Sequence, residues 1–235
     1  MKPNFIMQMR PLFEEEEKMA LEKYMNEDGF ITEYERTTIF ENMIANFTKS
    51  KHCIVVNNGT ISLTLAAMAA GIKADDEVII PNYTMIATPN SVRMFGAKPV
   101  FVDVEKESLC LDFKLMEKAI TKKTKGIFFV SSNGRYPNKQ ISEFEKFAKD
   151  NNLILLEDAA QSLGSFYPDG RHIGTAGLIG SFSFSSSKII STGQGGALIT
   201  DNDDMADKLR KLKDFGRSEG GNDIHDHVGF NFKFT

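Results

Sequence analysis

The sequence has no tryptophan and only two cysteines among its 235 residues. Cys53 and Cys110 lie far apart, so they form neither the closely spaced ligand pairs of a zinc site nor a disulfide framework. Cys53 opens an apolar run at residues 53–56 and is expected to be a buried core residue. The sequence therefore predicts no metal site.

Long apolar stretches are missing as well. No window of about 18 residues is uninterruptedly apolar, as a membrane-spanning helix requires, and the N-terminal residues lack the apolar segment of a signal peptide. The net charge is −4 with both signs mixed along the chain, which is atypical of a surface that follows nucleic-acid phosphates. We expect a cytoplasmic protein with neither a membrane nor a nucleic acid as its partner.

What the sequence does contain is a regular alternation of apolar runs and helical patterns. Helices are predicted at residues 14–26, 32–48, 61–70, 89–95, 113–119 and 141–151. Seven strands are predicted at 53–56, 77–80, 99–104, 126–131, 153–156, 179–184 and 197–200. Because these runs are apolar on both faces, they indicate an α/β fold with a mostly parallel sheet between helices. In such sheets, ligands bind beyond the carboxyl ends of the strands.

The first polar cluster that follows a predicted strand is Asn58-Gly59-Thr60, before the Ala-rich helix at 61–70. A helix N-terminus offers free N–H groups and a partial positive charge. Gly59 would let an anion approach closely, and Thr60 adds a hydroxyl donor. An ordinary N-cap by Asn58 or Thr60 explains the same residues, and for this cluster taken alone that simpler interpretation is favoured.

The second cluster is Glu157-Asp158-Ala159-Ala160-Gln161, directly after the apolar run at 153–156. A carboxylate at the end of a buried strand could hold a charged nitrogen of a ligand. Asp158 could equally cap a following helix, which is a common role for aspartate. The cluster alone leaves both interpretations open.

The third cluster contains Lys188, which follows a serine-rich segment at 181–187 and precedes Gly193-Gln194-Gly195-Gly196. Such a lysine can attack a carbonyl group when burial and nearby cations keep it partly neutral. A surface lysine in a serine-rich turn is the commoner case. A phosphate-binding P-loop is excluded, because the required spacing of glycines and Lys-Ser/Thr is absent.

Together these clusters resemble the DegT/DnrJ/EryC1/StrS aminotransferases, which are fold type I enzymes that use pyridoxal 5'-phosphate (PLP) to aminate nucleotide-linked keto sugars. The resemblance runs from about Phe30 to the end of the chain, and its motifs agree in order and spacing. The motifs are Asn57-Asn58-Gly59-Thr60, Asp75-Asp76-Glu77-Val78-Ile79-Ile80-Pro81, Gly96-Ala97-Lys98-Pro99-Val100-Phe101-Val102-Asp103, Glu157-Asp158-Ala159-Ala160-Gln161, Phe182-Ser183-Phe184, Lys188 and Gly193-Gln194-Gly195-Gly196.

The resemblance implies a role for each residue that would act on the cofactor ring. Lys188 corresponds to the lysine that holds PLP as a Schiff base. Asp158 corresponds to the acid that pairs with the pyridine nitrogen and keeps it protonated. Gln161 corresponds to the residue near the cofactor's 3-hydroxyl, and Met85 stands where many members stack an aromatic ring on the cofactor.

The resemblance also implies which residues bind the cofactor phosphate. Gly59, Thr60 and Ser183 correspond to phosphate contacts within one subunit. Asn231, in the segment Gly229-Phe230-Asn231-Phe232, corresponds to an asparagine that reaches the phosphate of the neighbouring subunit. This last correspondence implies a homodimer with shared active sites.

The activity implied by the resemblance is transamination. An amino donor, expected to be glutamate, gives its amino group to the cofactor, which passes it to a keto sugar while Lys188 moves the proton in both halves. Members that dehydrate carry histidine at the lysine position, so Lys188 favours a transaminase. The expected reaction converts a nucleotide-linked 4-keto-6-deoxyhexose to the 4-amino sugar, of the perosamine or viosamine type used in amino-sugar and polysaccharide biosynthesis.

Several positions depart from the family pattern and bear on the sugar more than on the cofactor. Ser131 stands where members often have histidine, and Gln194 replaces a usual glutamate. Arg135 and Arg217 could meet the sugar's diphosphate or be solvated surface residues. A 3-keto sugar aminotransferase and a non-catalytic regulator on the same fold are the alternatives. An enzyme using a nicotinamide cofactor is disfavoured, because no Gly-x-Gly-x-x-Gly follows the first strand.

The expected domain organisation has two parts. Residues 1–29 form an N-terminal helical segment, and residues 30–235 form the PLP-binding large domain. Family members carry a smaller C-terminal domain after the asparagine motif. Since this chain ends at Thr235, just past that motif, we expect the small domain to be absent from it.

Overall fold

A computed structural model describes residues 9–27, 32–218 and 223–235 of the chain. The helices are α1 (Glu15–Asn26), α2 (Glu35–Thr48), α3 (Gly59–Ala69), α4 (Ala87–Arg93), α5 (Phe113–Ala119), α6 (Ile141–Asp150) and α7 (Asp203–Lys213). The strands are β1 (His52–Val56), β2 (Glu77–Pro81), β3 (Lys98–Val102), β4 (Thr124–Val130), β5 (Ile154–Asp158), β6 (Ile179–Ser183) and β7 (Gly196–Thr200). All seven predicted strands are present, with ends that differ by two residues at most.

The strands form one sheet in the order β1-β7-β6-β5-β4-β2-β3. Strands β6, β5, β4, β2 and β3 pair in parallel, whereas β7 runs antiparallel to both of its neighbours, β1 and β6. The predicted mostly parallel sheet of seven strands is therefore confirmed. Because β1 and β6 each oppose β7, they point the same way, and the carboxyl ends of β1 to β6 lie at one edge.

Helices cover both faces of the sheet, since alternate strand residues point to opposite sides. In β4, Ile127 and Phe129 pack in a core cluster with residues of α2, α5 and α6. Phe128 packs in a second cluster, with the Ala- and Leu-rich helix α3 and with residues of α4 and α7. This three-layer arrangement leaves the carboxyl edge of the sheet as the place where loops from both faces converge.

Three of the six predicted helices start two or three residues away from the predicted position. The helix predicted at 32–48 begins at Glu35, because Glu33 adopts a left-handed φ of 54° that a right-handed helix cannot contain. The helix predicted at 89–95 spans Ala87–Arg93 instead, with Pro89 in its first turn, where the missing N–H is tolerated. The start of α3 is two residues earlier than predicted.

Helix α7 was not predicted. Asn202 caps it by accepting a hydrogen bond of 3.0 Å from the Met205 N–H, and its buried side chains include Ala206, Leu209 and Leu212. These residues repeat at three-residue intervals, which is the pattern of an amphipathic helix. The missed signal was the capping asparagine followed by this apolar repeat.

The predicted boundary between residues 1–29 and 30–235 lies outside the described residues, as does Phe30. Helix α1, which belongs to the predicted N-terminal segment, contains no buried residue. Among the residues that the structure describes, no helix is both long and apolar enough to cross a bilayer.

The C-terminal segment lies against β1 and the end of α7. The Asn57 N–H donates to the Phe232 carbonyl at 3.1 Å, and the Phe232 N–H donates to the Lys213 carbonyl at 2.9 Å. The buried Lys213 ammonium is paired with Glu33 at 2.9 Å and also donates to the Val55 carbonyl at 3.2 Å. These bonds hold residues 229–232 beside the strand that leads into α3.

Glu157 is a buried carboxylate near the end of the central strand β5, only 1% exposed. It accepts hydrogen bonds from the Tyr167 hydroxyl and from the backbone N–H groups of Gly174, Ala176 and Gly177, the last three at 3.1, 2.5 and 3.3 Å. Burial raises the pKa of this carboxyl, and the four donors oppose that shift. The side chain thereby fixes residues 167–177, which connect β5 to β6, on one face of the sheet.

Replacing Glu157 should unfold the protein at markedly lower urea concentration. Glu157→Ala leaves four buried donors without an acceptor, and we expect a loss of about 3 kcal/mol or more in the free energy of unfolding. Tyr167→Phe removes one of the four donors to this carboxylate and should cost only about 1.5 kcal/mol. Equal urea midpoints for Glu157→Ala and the parent protein would contradict the assigned role.

Candidate active site

A cavity of about 800 Å³ opens at the carboxyl edge of the sheet. Its walls come from the β1–α3 and β2–α4 loops, from the ends of β4, β5 and β6, and from the loop that precedes β7. Seven of the eight predicted site residues line it: Gly59, Thr60, Met85, Asp158, Gln161, Ser183 and Lys188. The fold therefore brings together residues that are up to 129 positions apart, from Gly59 to Lys188.

One end of the cavity is the N-terminus of α3. The Asn58 side chain accepts the Ile61 N–H at 2.9 Å, and the Asn58 carbonyl accepts the Ser62 N–H at 3.0 Å. Asn58 is thus the N-cap, as the simpler interpretation of this cluster predicts. The N–H groups of Gly59 and Thr60 precede the first intrahelical hydrogen bond, so the cap leaves these two donors for an anion.

Two glycines allow this helix start to press against the sheet. A Cβ atom on Gly59 would lie 2.7 Å from the Ser183 Cβ, and one on Gly196 would lie 2.5 Å from the Asn58 carbonyl oxygen. Both distances are too short for real contacts, so the close approach requires glycine at each position. The result is a concave surface of backbone N–H groups, with the Ser183 and Thr60 hydroxyls beside it, whose chemistry fits a phosphate group.

Asp158, at the end of β5, is 5% exposed and faces the cavity. Its Oδ2 accepts a hydrogen bond of 2.7 Å from the Thr88 hydroxyl, and its Oδ1 accepts one of 3.2 Å from the Ala160 N–H. No helix begins at this position in the described chain, so the helix-cap interpretation is wrong. Burial raises the pKa of Asp158, while the Thr88 and Ala160 donors and the Lys188 charge lower it.

Lys188 lies in a turn in which its N–H donates to the Ser185 carbonyl at 2.9 Å. Its side chain is partly buried and lines the cavity, so it is not the solvated surface lysine that its serine-rich surroundings favour. Burial lowers the pKa of the Lys188 amine, and the Asp158 carboxylate opposes this by raising it. Among the described residues that line the cavity, only these two carry a formal charge.

Gln161 has a fixed amide orientation. Its Oε1 accepts the Asn133 N–H at 2.7 Å, which leaves the Nε2 donor for a ligand. Asn133 follows β4 in the 3-10 turn Ser132–Gly134 and adopts a left-handed φ of 56°. Met85 is 66% exposed at the rim of the cavity, next to Tyr83.

Two residues of the wall, Thr84 and Asn133, and the buried Thr88 behind it were not predicted. Thr84 follows β2, and its position was predictable because ligands bind beyond the carboxyl ends of the strands in such sheets. Thr88 is fully buried, and its contact with Asp158 spans 70 residues, which no local pattern reveals.

Asn231 and the two arginines lie apart from this cavity. Asn231 is exposed and bridges to Asp214 in the segment beside β1. Arg135 donates to the Glu107 carbonyl at 3.5 Å, and Arg217 forms an ion pair of 3.0 Å with Asp214. None of the three lines the cavity of its own chain.

Comparisons with known proteins agree on one family. A model of the DegT/DnrJ/EryC1/StrS aminotransferase family matches residues 11–235. The GDP-perosamine synthase of Caulobacter vibrioides is 40% identical over 199 residues, which cover 83% of this chain and 52% of that protein. The chain spans about half the length of the curated relatives it matches.

Solved structures give the same fold. An aminotransferase from Psychrobacter cryohalolentis has a TM-score of 0.88 at 31% identity, covering 96% of this chain and 59% of the other. A GDP-4-keto-6-deoxymannose-3-dehydratase, solved with a trapped adduct of PLP and glutamate, has a TM-score of 0.83 at 27% identity, covering 90% and 55%.

The amine of Lys188 should react at lower pH than an ordinary lysine. Because burial lowers its pKa, a larger fraction is neutral at a given pH, and acetylation by acetic anhydride should begin at lower pH than for N-acetyl-lysine amide. Asp158→Asn removes the carboxylate that raises the pKa and should move the midpoint lower still. Peptide mass spectrometry measures the extent of labelling.

Exposed Lys125 serves as a control within the same chain, because it lies on β4 away from the cavity. Asp158→Asn should leave its labelling curve unchanged. A Lys188 midpoint at or above that of the free amino acid derivative would rule out an activated amine.

Proposed function

The chain belongs to the DegT/DnrJ/EryC1/StrS aminotransferase family, and we propose that it acts as a PLP-dependent aminotransferase on a nucleotide-linked 4-keto-6-deoxyhexose. The observation that carries the proposal is that a partly buried lysine, a buried carboxylate and a helix N-terminus with free N–H groups line the same cavity. The product would be the 4-amino sugar, with glutamate as the amino donor. The GDP-perosamine synthases among the relatives support GDP as the nucleotide and perosamine as the sugar.

The walls of the cavity fit this cofactor. The glycine-lined start of α3 offers N–H donors and hydroxyls for a phosphate, which a Cβ at Gly59 would obstruct. Asp158 offers a carboxylate for a ring nitrogen, and the free Nε2 of Gln161 offers a donor for the ring oxygen. Met85 at the rim can pack its thioether on the ring face.

Bound PLP supplies an electron-withdrawing ring that stabilises the carbanion formed at the amino-bearing carbon. Lys188 would hold the cofactor covalently through Nζ until the amino donor displaces it. The released amine would then accept the proton from the donor's alpha carbon and deliver it to the cofactor. When the sugar reacts, the same amine would move a proton in the opposite direction. The lowered pKa of Lys188 favours the neutral amine that both tasks require.

Asp158 would keep the ring nitrogen protonated through a charge pair inside a largely desolvated wall. The Thr88 and Ala160 donors stabilise its negative charge, so the carboxylate stays ionised and can accept a hydrogen bond from the protonated ring nitrogen. Gly59, Thr60 and Ser183 would anchor the phosphate at the opposite end. The two ends together would fix the ring within reach of the Lys188 amine, with neutral donors alone around the phosphate.

The active protein would be a homodimer with shared active sites. Asn231 is exposed outside its own cavity, which is consistent with its reaching the phosphate in a neighbouring subunit of a homodimer. Residues 30–235 would form the PLP-binding domain, with residues 1–29 as a helical segment before it. The protein would work in the cytoplasm.

Covalent trapping tests the role of Lys188. Protein loaded with PLP and reduced with borohydride should carry the pyridoxyl phosphate mass on the peptide that contains Lys188. Lys188→Ala and Lys188→Arg should carry none, because neither has a nucleophilic amine, and the arginine variant keeps the positive charge. Pyridoxyl phosphate on another lysine of the parent protein, instead of on Lys188, would contradict the assignment of Lys188 as the residue that holds the cofactor.

Turnover tests the reaction itself. The loaded protein with GDP-4-keto-6-deoxymannose and glutamate should form a GDP-linked amino sugar, detected by mass, while the Lys188 variants should form none. A 3-keto substrate that is aminated faster than the 4-keto one would favour the alternative reaction within this family. A non-catalytic regulator would bind the sugar, but adding glutamate would leave the absorbance band of its bound cofactor unchanged.

The phosphate site can be tested by affinity. Ser183→Ala should weaken PLP binding about tenfold, since a hydrogen bond to a charged group contributes roughly 1.5 kcal/mol or more. Gly59→Ala should weaken it further, because its Cβ conflicts with Ser183. Exposed Ser186, in the same loop but not lining the cavity, gives the matched control: Ser186→Ala should bind as the parent does. Absorbance titration measures the Kd, and equal Kd values for all variants would place the phosphate elsewhere.

A further inference from the structure

A chain of two hydroxyls leads from the cavity wall to Asp158. The Thr88 side chain is fully buried in α4, and its Oγ1 donates to Asp158 Oδ2 at 2.7 Å. The Oγ1 of Thr84, which lines the cavity, lies 2.8 Å from the Thr88 Oγ1. Both threonines come from the β2–α4 region, 70 or more residues before Asp158.

The direction of these hydrogen bonds follows from the donors available. An ionised carboxylate only accepts, so the single hydrogen of the Thr88 hydroxyl is committed to Asp158. The contact between Thr84 and Thr88 must then be donated by Thr84. The order is therefore Thr84 to Thr88 to Asp158, with each hydroxyl polarising the next.

The rest of the Asp158 carboxylate is held on the opposite side. Its Oδ1 accepts the Ala160 N–H at 3.2 Å, so each oxygen has one protein donor and the plane of the group is fixed. A carboxylate has about four acceptor positions, so others remain for a ligand in the cavity. Thr88 is thus one of the two protein donors that orient the carboxylate and stabilise its charge, and the only one of the two that is a side chain.

We propose that Thr88, supported by Thr84, is a positioning residue that aims Asp158 at the cofactor's ring nitrogen and keeps the proton on that nitrogen rather than on the carboxylate. This inference rests on the proposed function for its cofactor, although the effect of Thr88 on Asp158 belongs to the protein alone. Without the Thr88 donor, the buried carboxylate becomes a stronger base and competes with the ring nitrogen for the proton. The ring would then withdraw electrons less effectively.

The charged groups around Asp158 define what a titration would report. Among the described residues of the wall, Lys188 is the charged side chain that acts on Asp158, and Tyr83 is the other titratable residue. Glu157 is the neighbouring carboxylate in β5, but its hydrogen bonds lie on the opposite face of the sheet. The substitutions at Thr88 leave all three of these side chains in place.

The first measurement uses the protein without cofactor. Carboxyl carbon NMR of protein labelled at aspartate, assigned through Asp158→Asn, should show the Asp158 midpoint about one to two pH units higher in Thr88→Val than in the parent. Thr88→Ser retains the hydroxyl and should restore the parent midpoint, and Thr84→Val should give a smaller rise. An unchanged midpoint in Thr88→Val overturns the proposal, whatever the cofactor is.

The second measurement uses protein loaded with PLP labelled with ¹⁵N in the ring. The parent should show the chemical shift of a protonated ring nitrogen, and Thr88→Val should move toward the unprotonated value with a kcat about tenfold or more lower and a nearly unchanged KM for the sugar. Thr88→Ser should again restore both. A parent protein that takes no PLP contradicts the proposed function while the first measurement still decides the role of Thr88. If Thr88→Val fails to fold, the Thr84→Val and Thr88→Ser pair decides both measurements.

Discussion

Two consecutive buried carboxylates at the end of the central strand impose the strongest constraint on this structure. Glu157 and Asp158 point to opposite faces of the sheet, are 1% and 5% exposed, and each would be costly to bury without donors. Glu157 is satisfied by residues 167–177 on one side, and Asp158 by Thr88 and Ala160 on the other. The loop between β5 and β6 and the placement of α4 are therefore both tied to the solvation of these two groups.

The topology of the sheet turns this constraint into a site. Because β1 to β6 end at one edge, the helix start after β1, Thr84 after β2 and the carboxylate of β5 all face the same space. The antiparallel β7 brings its first residue, Gly196, against the Asn58 carbonyl at the same edge. The loop between β6 and β7, which carries Lys188, lines the cavity instead of leading into a helix.

The sequence allowed most of the framework to be predicted and little of the support around the site. The strands were predictable because buried strands read as short apolar runs, and Lys188 and Asp158 stood out through motifs that resemble a known family. Helix starts were not, since a left-handed Glu33 and a tolerated Pro89 depend on backbone geometry. The antiparallel direction of β7 depends on a loop path, which apolar runs do not encode.

Thr88 shows why the support around a site escapes local reasoning. Its neighbours in sequence read as the start of an ordinary helix, and its one informative contact is with Asp158, 70 residues later. At the Asn58 cluster, by contrast, the two interpretations of the sequence are compatible, because an ordinary N-cap does not prevent anion binding. The cap uses the Ile61 and Ser62 N–H groups and leaves those of Gly59 and Thr60 for a ligand.

The charge distribution of the cavity links these features. Phosphate recognition by a helix N-terminus and hydroxyls uses neutral dipoles, so the described cavity wall needs no second cation beside Lys188. The pKa of Lys188 is then governed by two opposed effects, burial that lowers it and Asp158 that raises it. Any donor that stabilises the Asp158 charge, as Thr88 does, also strengthens the second effect. A ring nitrogen that pairs with Asp158 would offset the charge of that carboxylate and so weaken the effect that raises the pKa of the Lys188 amine.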